Sequence, residues 1–491
     1  MRERRLNSSS VQTTVQPKEL GAVSRRRLLQ LTGTSALGAL TGCTGQLPGS
    51  GDDGDRGVAP RSPTTAEPDR AVSFTAASGT VQPTPETSTT NWMYEGRFPG
   101  PELRVQEGDV LSVDLTNDLQ AGTTIHWHGV PVPNPVDGVP DVTQEPVASG
   151  GTFTYKFRAE PAGTYFYHSH VGLQLDRGLL GPLIVEEQEP HVEYDREYVV
   201  VIDDYLPEAP RLPSDGRTGR GGGMGGRGGM MGDIRPPYEG LLINGRLPED
   251  PPTFDVTEGE RVRFRFVNAS SATVFGVRIA GHEMAVTHAD GRPVDPVDVD
   301  SFVFGAGERY DVVVEATNPG RWVVQAEAID GNEPPARGVV AYESADPRDS
   351  PQPPSSSSTQ LQYGDLRALS SLDGVSGRPD RTFDLTLSRG RGEYVWMIDG
   401  QAYPEADPLS IRPDEHVRIR MTNQSPVVHP MHLHGHFFQV GDAVKDTVIV
   451  PGHMGQVTID FHADNPGRWL FHCHNLYHLD SGMARVVQYV D

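Results

Sequence analysis

Cysteine, lysine and long apolar runs are scarce in this chain of 491 residues. Two cysteines, Cys43 and Cys473, leave no room for a disulfide framework. The modest apolar run over residues 28–40 is too short to cross a bilayer as a permanent anchor. We therefore expect no transmembrane domain in the mature chain.

Positive charge is scarce as well, since the formal net charge is −24. Residues 1–42 carry seven Arg or Lys against two Glu, so their removal would leave a net charge near −29. Such acidity argues against binding to nucleic acid or anionic membranes by charge. The only lysines are Lys18, Lys156 and Lys445. An acidic chain with few lysines resembles proteins of salt-loving organisms, in which salt screens the self-repulsion.

The first 70 residues resemble an export segment. Residues 24–29 (SRRRLL) resemble a twin-arginine motif, and residues 40–43 (LTGC) resemble a lipoprotein cleavage box. We predict a twin-arginine-type signal over 1–42 and a flexible lipoprotein tether over 43–70. The mature protein would then be extracellular or at the cell surface, anchored by a lipid on Cys43. A signal with an incidental cysteine is the alternative.

The most informative segment is HCHNLYHLDSGM, which contains Cys473, His478 and Met483. One thiolate, one imidazole and one thioether at these spacings suit a mononuclear blue-copper centre. If Cys473 lies on a strand, the flanking His472 and His474 share the face away from its sulfur. They would then bind a second metal site, joined to the first by a short covalent path.

Three other segments, TIHWHG, YHSH and HPMHLHGH, supply further histidines at alternate positions. Four His-x-His pairs in one chain are not explained by scattered packing histidines. Their eight imidazoles suit three copper ions at two to three nitrogens each. The candidate ligands that these three segments supply are His126, His128, His168, His170, His429, His432 and His434.

The chain also contains an internal repeat. Residues 105–117 (VQEGDVLSVDLTN), 256–268 (VTEGERVRFRFVN) and 411–423 (IRPDEHVRIRMTN) align without gaps. Each combines a turn-forming centre with an alternating apolar strand that ends in asparagine. Three copies of one all-β domain, about 150 residues apart, are therefore predicted.

The repeat predicts which copies bind metal. The middle copy has Val277 and Ile279 at the positions of one histidine pair, and Gln325 and Glu327 at those of the other. The first copy has Ser169 where the third has Cys473, and Thr123 where the third has His429. We expect the first and third domains to face each other across the histidine cluster, with the middle domain as a structural spacer.

These motifs resemble the three-domain multicopper oxidases, the group of laccases, bilirubin oxidase and bacterial cuprous oxidases. The resemblance covers residues 70–491 and implies an all-β chain of three cupredoxin-like Greek-key β-barrels. The expected domains are 71–190, 191–345 without copper ligands, and 379–491 with the type 1 copper, after a linker over 346–378.

The resemblance also implies four copper ions and their ligands. His429, Cys473, His478 and axial Met483 would hold the type 1 copper. His126 and His432 would hold the type 2 copper. One type 3 copper ion would be held by His128, His168 and His474, and the other by His170, His434 and His472.

The implied activity is a copper-dependent oxidase. Electrons taken singly from a small reductant would pass through Cys473 to the trinuclear cluster, where O2 is reduced to water. A laccase-like phenolic or aromatic reductant and a cuprous ion, oxidised for copper tolerance, both stay open. A copper-free structural relative should lack several ligands, and a copper nitrite reductase would not explain four His-x-His pairs.

Two further features carry predictions about protons and copper. Asp137 resembles the acid that the family has near the type 2 copper and is predicted as a proton relay, with a turn-capping aspartate as the alternative. Leu479 stands where many bacterial members have a glutamate, and Asp480 follows it. The segment 216–233 is rich in Gly, Met and Arg and is either a mobile loop or a Cu(I)-capturing one.

Overall fold

A computed structural model describes residues 63–213, 235–355, 359–390 and 394–491. Strands dominate these ranges, and their single α-helix, α1 (Leu476–Asp480), has five residues. None of the helices in the described ranges has the length and apolar character needed to cross a membrane. The twin-arginine motif, Cys43 and segment 216–233 lie outside the described residues, so the signal, the lipid anchor and the loop remain predictions.

Three successive regions each form two β-sheets. In the first region the sheet orders are β2-β1-β4-β6 and β3-β8-β7-β5. Its strands are β1 (Arg70–Val81), β2 (Thr89–Tyr94), β3 (Leu103–Gln106), β4 (Val110–Asn117), β5 (His126–His128), β6 (Thr152–Arg158), β7 (Gly163–His168) and β8 (Leu180–Glu186), with 3-10 turns at Asn134–Val136 and Leu175–Arg177.

The middle region has a six-stranded sheet, β10-β9-β12-β17-β14-β15, and a five-stranded sheet, β11-β19-β18-β13-β16. Its strands are β9 (Arg196–Tyr205), β10 (Gly240–Ile243), β11 (Thr253–Val256), β12 (Arg261–Asn268), β13 (Phe275–Ile279), β14 (Met284–Ala289), β15 (Arg292–Val299), β16 (Phe302–Phe304), β17 (Arg309–Glu315), β18 (Arg321–Ala328) and β19 (Ala336–Tyr342).

The third region repeats that plan with sheets β21-β20-β23-β28-β25-β26 and β22-β30-β29-β24-β27. Its strands are β20 (Arg381–Arg389), β21 (Trp396–Ile398), β22 (Leu409–Ile411), β23 (His416–Asn423), β24 (His429–Leu433), β25 (Phe438–Val440), β26 (Ala443–Lys445), β27 (Thr447–Val450), β28 (Gln456–His462), β29 (Arg468–Cys473) and β30 (Ala484–Tyr489).

The asparagine that ends β4, β12 and β23 does the same work in each region. The side-chain amide of Asn117 donates to the carbonyls of Ala121 and Val147, both at 2.8 Å. Asn268 and Asn423 make the matching pairs of bonds, and all three side chains are fully buried. Each amide thus closes the turn after its strand by donating to two backbone carbonyls.

The three regions pack on shared apolar cores. One buried cluster fills the space between the two sheets of the first region. A second runs through the middle and third regions and takes in Phe166, Leu175 and Leu180 from the first. The predicted linker, 346–378, contains a 3-10 turn at Tyr363–Asp365 and pairs with the middle region through single bridges such as Trp322 with Gln352.

Two histidines that are not among the predicted metal ligands have matching structural roles. His282 in the middle region accepts or donates at Tyr342 Oη (2.7 Å) and lies edge-on to Trp322. His436 makes the same contact with Tyr489 Oη (2.7 Å) and lies edge-on to Trp469. Because the arrangement also occurs in the region without the histidine pairs, His436 belongs to the fold and not to the metal centres.

Candidate metal centres

The strand register brings the His-x-His pairs together. In the first region β5 lies antiparallel to β7, with His126 opposite His168. In the third region β24 lies antiparallel to β29, with His432 opposite His472. Each region therefore presents its two histidine pairs side by side at one end of a sheet.

Those two ends meet to form a single buried cluster. The rings of His126 and His434 stack with centroids 3.9 Å apart, and so do those of His128 and His432. Ligand atoms within 4.8 Å of one another occur in several sets, among them His126, His432 and His434; His126, His128 and His168; and His170, His434 and His472. His474 lies against His128, with ring centroids 4.8 Å apart.

Backbone carbonyls fix the orientation of four of these rings. The Nδ1 atoms of His126 and His432 lie 2.8 and 2.9 Å from the carbonyls of Asp137 and Asp446. His168 and His472 make the same contact with the carbonyl of the following residue, at 3.0 and 2.9 Å. A proton held on Nδ1 leaves Nε2 as the lone-pair nitrogen that faces the cluster.

His128 has the opposite orientation. Its Nε2 lies 3.2 Å from Thr447 Oγ1, whereas its Nδ1 is buried and has no hydrogen-bond partner. Other ring nitrogens are also buried without a hydrogen-bond partner: Nε2 of His126, His168, His170 and His432, and both nitrogens of His474. Buried polar atoms are rarely left without a partner, so these nitrogens point to a ligand.

The electrostatics of the cluster also fit copper. Burial, reinforced by the neighbouring imidazoles, holds the pKa values of these rings well below the usual value, so they are neutral. Neutral imidazoles are the form that binds a metal ion, and imidazole suits copper. The residues that carry this argument are His128, His168, His170, His434, His472 and His474.

A second centre lies at the other side of β29. Cys473 Sγ is 3.5 Å from Nδ1 of His429 and 3.5 Å from Nδ1 of His478, and these two nitrogens are 3.1 Å apart. Ligand atoms of one first-row metal ion have such separations when their bonds are about 2.0 Å to nitrogen and about 2.3 Å to sulfur. Met483 is fully buried, and its backbone bonds to both Cys473 and His478.

Local structure explains how His478 reaches this centre. Asn475 caps the short helix α1 by accepting from the amides of Tyr477 and His478 at 3.2 and 3.3 Å. The sequence patterns missed this helix, because five residues show no helical period. Burial raises the pKa of the Cys473 thiol well above its usual value, so a bound cation is needed to hold the thiolate.

The two histidines of this centre differ at their outer nitrogens. Nε2 of His429 lies 2.8 Å from Ser425 Oγ. Nε2 of His478 is buried without a partner, and His478 lines a cavity of about 130 Å³. The other lining residues are Arg235, Ala272, Val274, Asp330, Val427, Val428, Pro430 and Asn475.

Asp137 lies between two histidines of the cluster. Its Oδ2 is 3.0 Å from Nδ1 of His434, and its Oδ1 is 3.2 Å from Nδ1 of His126. The side chain is fully buried, although its backbone also ends the 3-10 turn Asn134–Val136. Its carboxylate therefore faces the cluster instead of capping the turn.

The first region holds a polar counterpart of the cysteine centre. Thr123, Ser169 and Gln174 have the places of His429, Cys473 and His478, and Leu179 has that of Met483. Both hydroxyls donate to Gln174 Oε1 at 2.7 Å, so a hydrogen-bonded cluster replaces the ligand set.

The middle region is more than the structural spacer that the sequence suggested. Asp446, which sequence reasoning missed, has its Oδ1 3.3 Å from His128 Nε2 and forms a buried ion pair with Arg309 of the middle region. One feature of the sequence could have indicated Asp446. In KDTV (445–448), Lys445 is one of only three lysines and stands next to this acid in an apolar segment.

A cleft approaches the cluster from the surface. It has a volume of about 410 Å³ and is lined by Asp141, His170, Leu479 and Asp480, among others. Burial raises the pKa of Asp480. A second, smaller pocket is lined by His170, His472, His474 and Leu479. Leu479, which stands where many bacterial members have a glutamate, thus lines both the cleft and the smaller pocket at the cluster.

Three family models, each described as multicopper oxidase, match residues 75–190, 196–345 and 378–491. Each match falls on one of the three regions. The multicopper oxidase MmcO of Mycobacterium tuberculosis is 36% identical over 425 residues, covering 81% of this chain and 82% of that protein.

Two further relatives differ from MmcO in what their names describe. A copper resistance protein A homolog of Pseudomonas syringae pv. tomato is 28% identical and covers 80% of this chain and 88% of that protein. Among solved structures, the laccase from Botrytis aclada is similar at a TM-score of 0.69 and 25% identity, covering 86% of this chain and 88% of that one.

Proposed function

Because the chain belongs to the multicopper oxidase family, whose members are copper-dependent oxidoreductases with four copper ions, we propose that it oxidises small phenolic or aromatic compounds beside His478. The electrons would reduce O2 to water at the histidine cluster. Bound copper would supply the one-electron redox chemistry at both centres. We further propose the ligand sets given above for the type 1, type 2 and type 3 ions.

The cavity at His478 is the observation that carries this proposal. Its wall is mostly apolar and its volume of about 130 Å³ suits a small planar molecule. Nε2 of His478 has no hydrogen-bond partner, so it can form a hydrogen bond with a molecule in the cavity. Nδ1 of the same ring contacts Cys473 Sγ. A phenol hydroxyl bound there would lie next to the thiolate centre.

Asp330 and Arg235 supply the polar groups of the cavity. Arg235 is held by Glu333 at 2.5 Å and by Thr273 Oγ1 at 2.6 Å. Burial raises the pKa of Asp330, although Arg235 opposes that shift. Such a carboxyl group can accept a proton from a phenol as the phenol loses an electron.

The chain also offers residues that handle the remaining chemistry. The Cys473 backbone and its neighbours His472 and His474 form the shortest covalent connection between the two centres. Asp137, in contact with His126 and His434, is proposed as the group that delivers protons to the cluster. Asp480 is proposed as an acid at the mouth of the cleft.

Oxygen uptake with a phenol, Cu(I) and Fe(II), measured side by side, tests the reductant. The phenol should be turned over with the highest kcat/KM. The variant Asp330→Asn should raise KM for the phenol and leave the blue absorption unchanged, whereas Asp349→Asn at an exposed site should change neither. Turnover of Cu(I) alone would reject the phenol proposal.

Cuprous-ion oxidation is the second candidate, and one observation favours it. Arg235, two residues after the methionine-containing segment 216–233, lines the cavity at His478. Thioether ligands select Cu(I), and one relative is named a copper resistance protein. Deleting residues 216–233 should lower oxidation of Cu(I) but not of the phenol if the segment handles copper. Equal loss or retention of both activities would count against this role.

The export route is proposed from the sequence. The twin-arginine-type signal and the lipid on Cys43 would place the oxidase outside the cytoplasm. Labelling with a radioactive fatty acid, compared between the wild type and Cys43→Ser, tests the anchor. Label in both proteins, or in neither, would contradict it.

A further inference from the structure

A buried ion pair joins the middle region to the third region directly behind the histidine cluster. The guanidinium of Arg309 donates two parallel bonds to Asp446, from Nη1 to Oδ1 and from Nη2 to Oδ2, both at 2.7 Å. Both side chains are almost completely excluded from solvent. This fork is the strongest geometry available to an Arg–carboxylate pair.

Asp446 contacts two of the cluster histidines. Its Oδ1 is 3.3 Å from Nε2 of His128 and 3.5 Å from Nδ1 of His432, and its backbone carbonyl also lies 2.9 Å from that Nδ1. Thr447 Oγ1 donates to the same carboxylate oxygen at 2.9 Å and lies 3.2 Å from His128 Nε2. Together these groups hold His128 with Nδ1 toward the cluster.

Arg309 also contacts the first region. Its Nε donates to the carbonyl of Thr164 at 3.1 Å, and its guanidinium lies 5.6 Å from the ring centroid of Tyr165. Both residues lie on β7, the strand that ends at His168. One side chain of the middle region thus touches β7 in the first region and, in the third region, Asp446 beside β27, which pairs with the histidine-bearing strand β24.

Two glycines show how closely this pair packs. A Cβ atom on Gly129, the residue after His128, would lie 2.3 Å from Arg309 Nη2 and 2.6 Å from Asp446 Oδ2. A Cβ atom on Gly307 would lie 2.9 Å from both His128 and His474. A side chain at Gly129, whose φ of +85° already favours glycine, would therefore collide with the ion pair, and the middle region forms a wall of the cluster.

A second carboxylate holds the pair in place. Asp290 Oδ1 accepts from the amide of Arg309 at 2.9 Å, and its Oδ2 accepts from the amides of Asp446 and Thr447 at 3.2 and 3.1 Å. Lys445 Nζ lies 3.1 Å from the same Oδ2. The backbone on both sides of the ion pair is thereby fixed.

We propose that Arg309 and Asp446 are positioning residues for the trinuclear copper site, through which the middle region sets the ring orientation of His128 and His432. The proposal rests on the histidine cluster binding copper as proposed above. Without Arg309, a buried carboxylate would stand unpaired beside two histidines, and its position would relax. Partners that orient metal-bound histidines typically change metal affinity about 10- to 100-fold.

The test compares Arg309→Met with Arg263→Met. Arg263 is an equally buried arginine, 2.7 Å from Asp311 in the middle region, and it touches none of the cluster histidines. Both variants should unfold more easily in the metal-free form. Only Arg309→Met should bind copper at least tenfold more weakly at the cluster, measured by chelator competition and elemental analysis, while the blue absorption at Cys473 persists.

Arg309→Lys and Asp446→Asn keep the proposal testable if Arg309→Met does not fold. Lysine preserves the charge without the fork, and asparagine preserves the shape without the charge, so each should lower copper at the cluster less than Arg309→Met does. Cluster copper unchanged in all Arg309 and Asp446 variants, or lowered equally in Arg263→Met, would overturn the proposal. A wild-type protein without cluster copper would instead reject the proposed function.

Discussion

At the scale of single residues, neutral imidazoles make the histidine cluster fit to bind a metal ion. Burial keeps six of the imidazoles uncharged, and hydrogen bonds to carbonyls decide which nitrogen four of the rings present. Asp137 contacts the cluster through its side chain as well, because its fully buried carboxylate touches two of the rings. An acid in that place is able to pass a proton to the site where O2 would be reduced.

Replacing Asp137 with Asn should slow O2 consumption on the order of 100-fold, because the amide cannot donate and regain a proton as the carboxyl group does. The blue absorption at Cys473 should stay intact, since Asp137 does not contact that centre. Oxygen uptake and visible spectra measure the two effects. Asp118→Asn, at an exposed position of the same region, is the control. Normal turnover in Asp137→Asn would end its role as a proton relay.

Asp176 predicts a pH dependence of stability. Burial, together with nearby Asp204, raises its pKa from 3.8 to about 7, and it accepts bonds from Tyr477 and Tyr238. A carboxyl group with a raised pKa in the folded state favours folding at pH values below its ordinary pKa. That contribution disappears as the pH rises from about 4 to about 7.

In Asp176→Asn this loss should be absent. The wild type should therefore lose about 1–2 kcal/mol more of its free energy of unfolding between pH 4 and pH 7 than the variant does, with the figure kept small by the partial exposure of Asp176. Denaturant titrations at the two pH values measure the difference. Parallel pH profiles for the two proteins would show that Asp176 titrates normally.

At the scale of strands and loops, the sequence pattern predicted a large part of the molecule. The predicted all-β fold is confirmed. The prediction succeeded because apolar and polar residues alternate within 105–117, 256–268 and 411–423, as they do in a strand with one buried face. The sequence shows the asparagine at the end of each segment, but only the structure shows the two carbonyls to which its side chain donates. The helix α1 and Asp446 escaped prediction, since one is too short for a period and the other acts on residues far away in the chain.

The same loop framework carries the proposed type 1 copper ligands in the third region and a hydrogen-bonded cluster in the first. Thr123→His, Ser169→Cys and Gln174→His, made together, should create a second thiolate site, because the backbone bonds of Ser169 and Leu179 match those of Cys473 and Met483. The variant should bind one additional copper ion and gain blue absorption. Thr123→His and Gln174→His without the thiolate are the control, and an unchanged spectrum in the triple variant would show that the frameworks differ.

At the scale of the whole molecule, the surface and the interior behind the cluster differ in their balance of charge. Negative side chains outnumber positive ones by 24, whereas the interior behind the cluster pairs its charges closely. Lys445 is fully buried in that network, which leaves Lys156 as the only lysine of the described ranges outside the core. The acidity therefore belongs to the surface.

We expect the folded protein to be more stable in salt. The screening length falls from about 10 Å at about 0.1 M to about 3 Å at about 1 M, which weakens repulsion between surface carboxylates. Thermal unfolding in increasing KCl should show a rising midpoint at pH 7 and a much weaker rise at pH 4, where many carboxylates are neutral. Equal stability with and without salt would remove the inference of a salt-adapted protein.

The contact between His128 and Thr447, which lie 319 residues apart, has a consequence for biosynthesis. While the ribosome is still making the third region, the nascent first region exposes only half of the nitrogens that the cluster needs. Cofactor insertion can be completed only after translation has ended and all three regions have docked. A cell that makes this oxidase must therefore deliver its copper to a finished polypeptide.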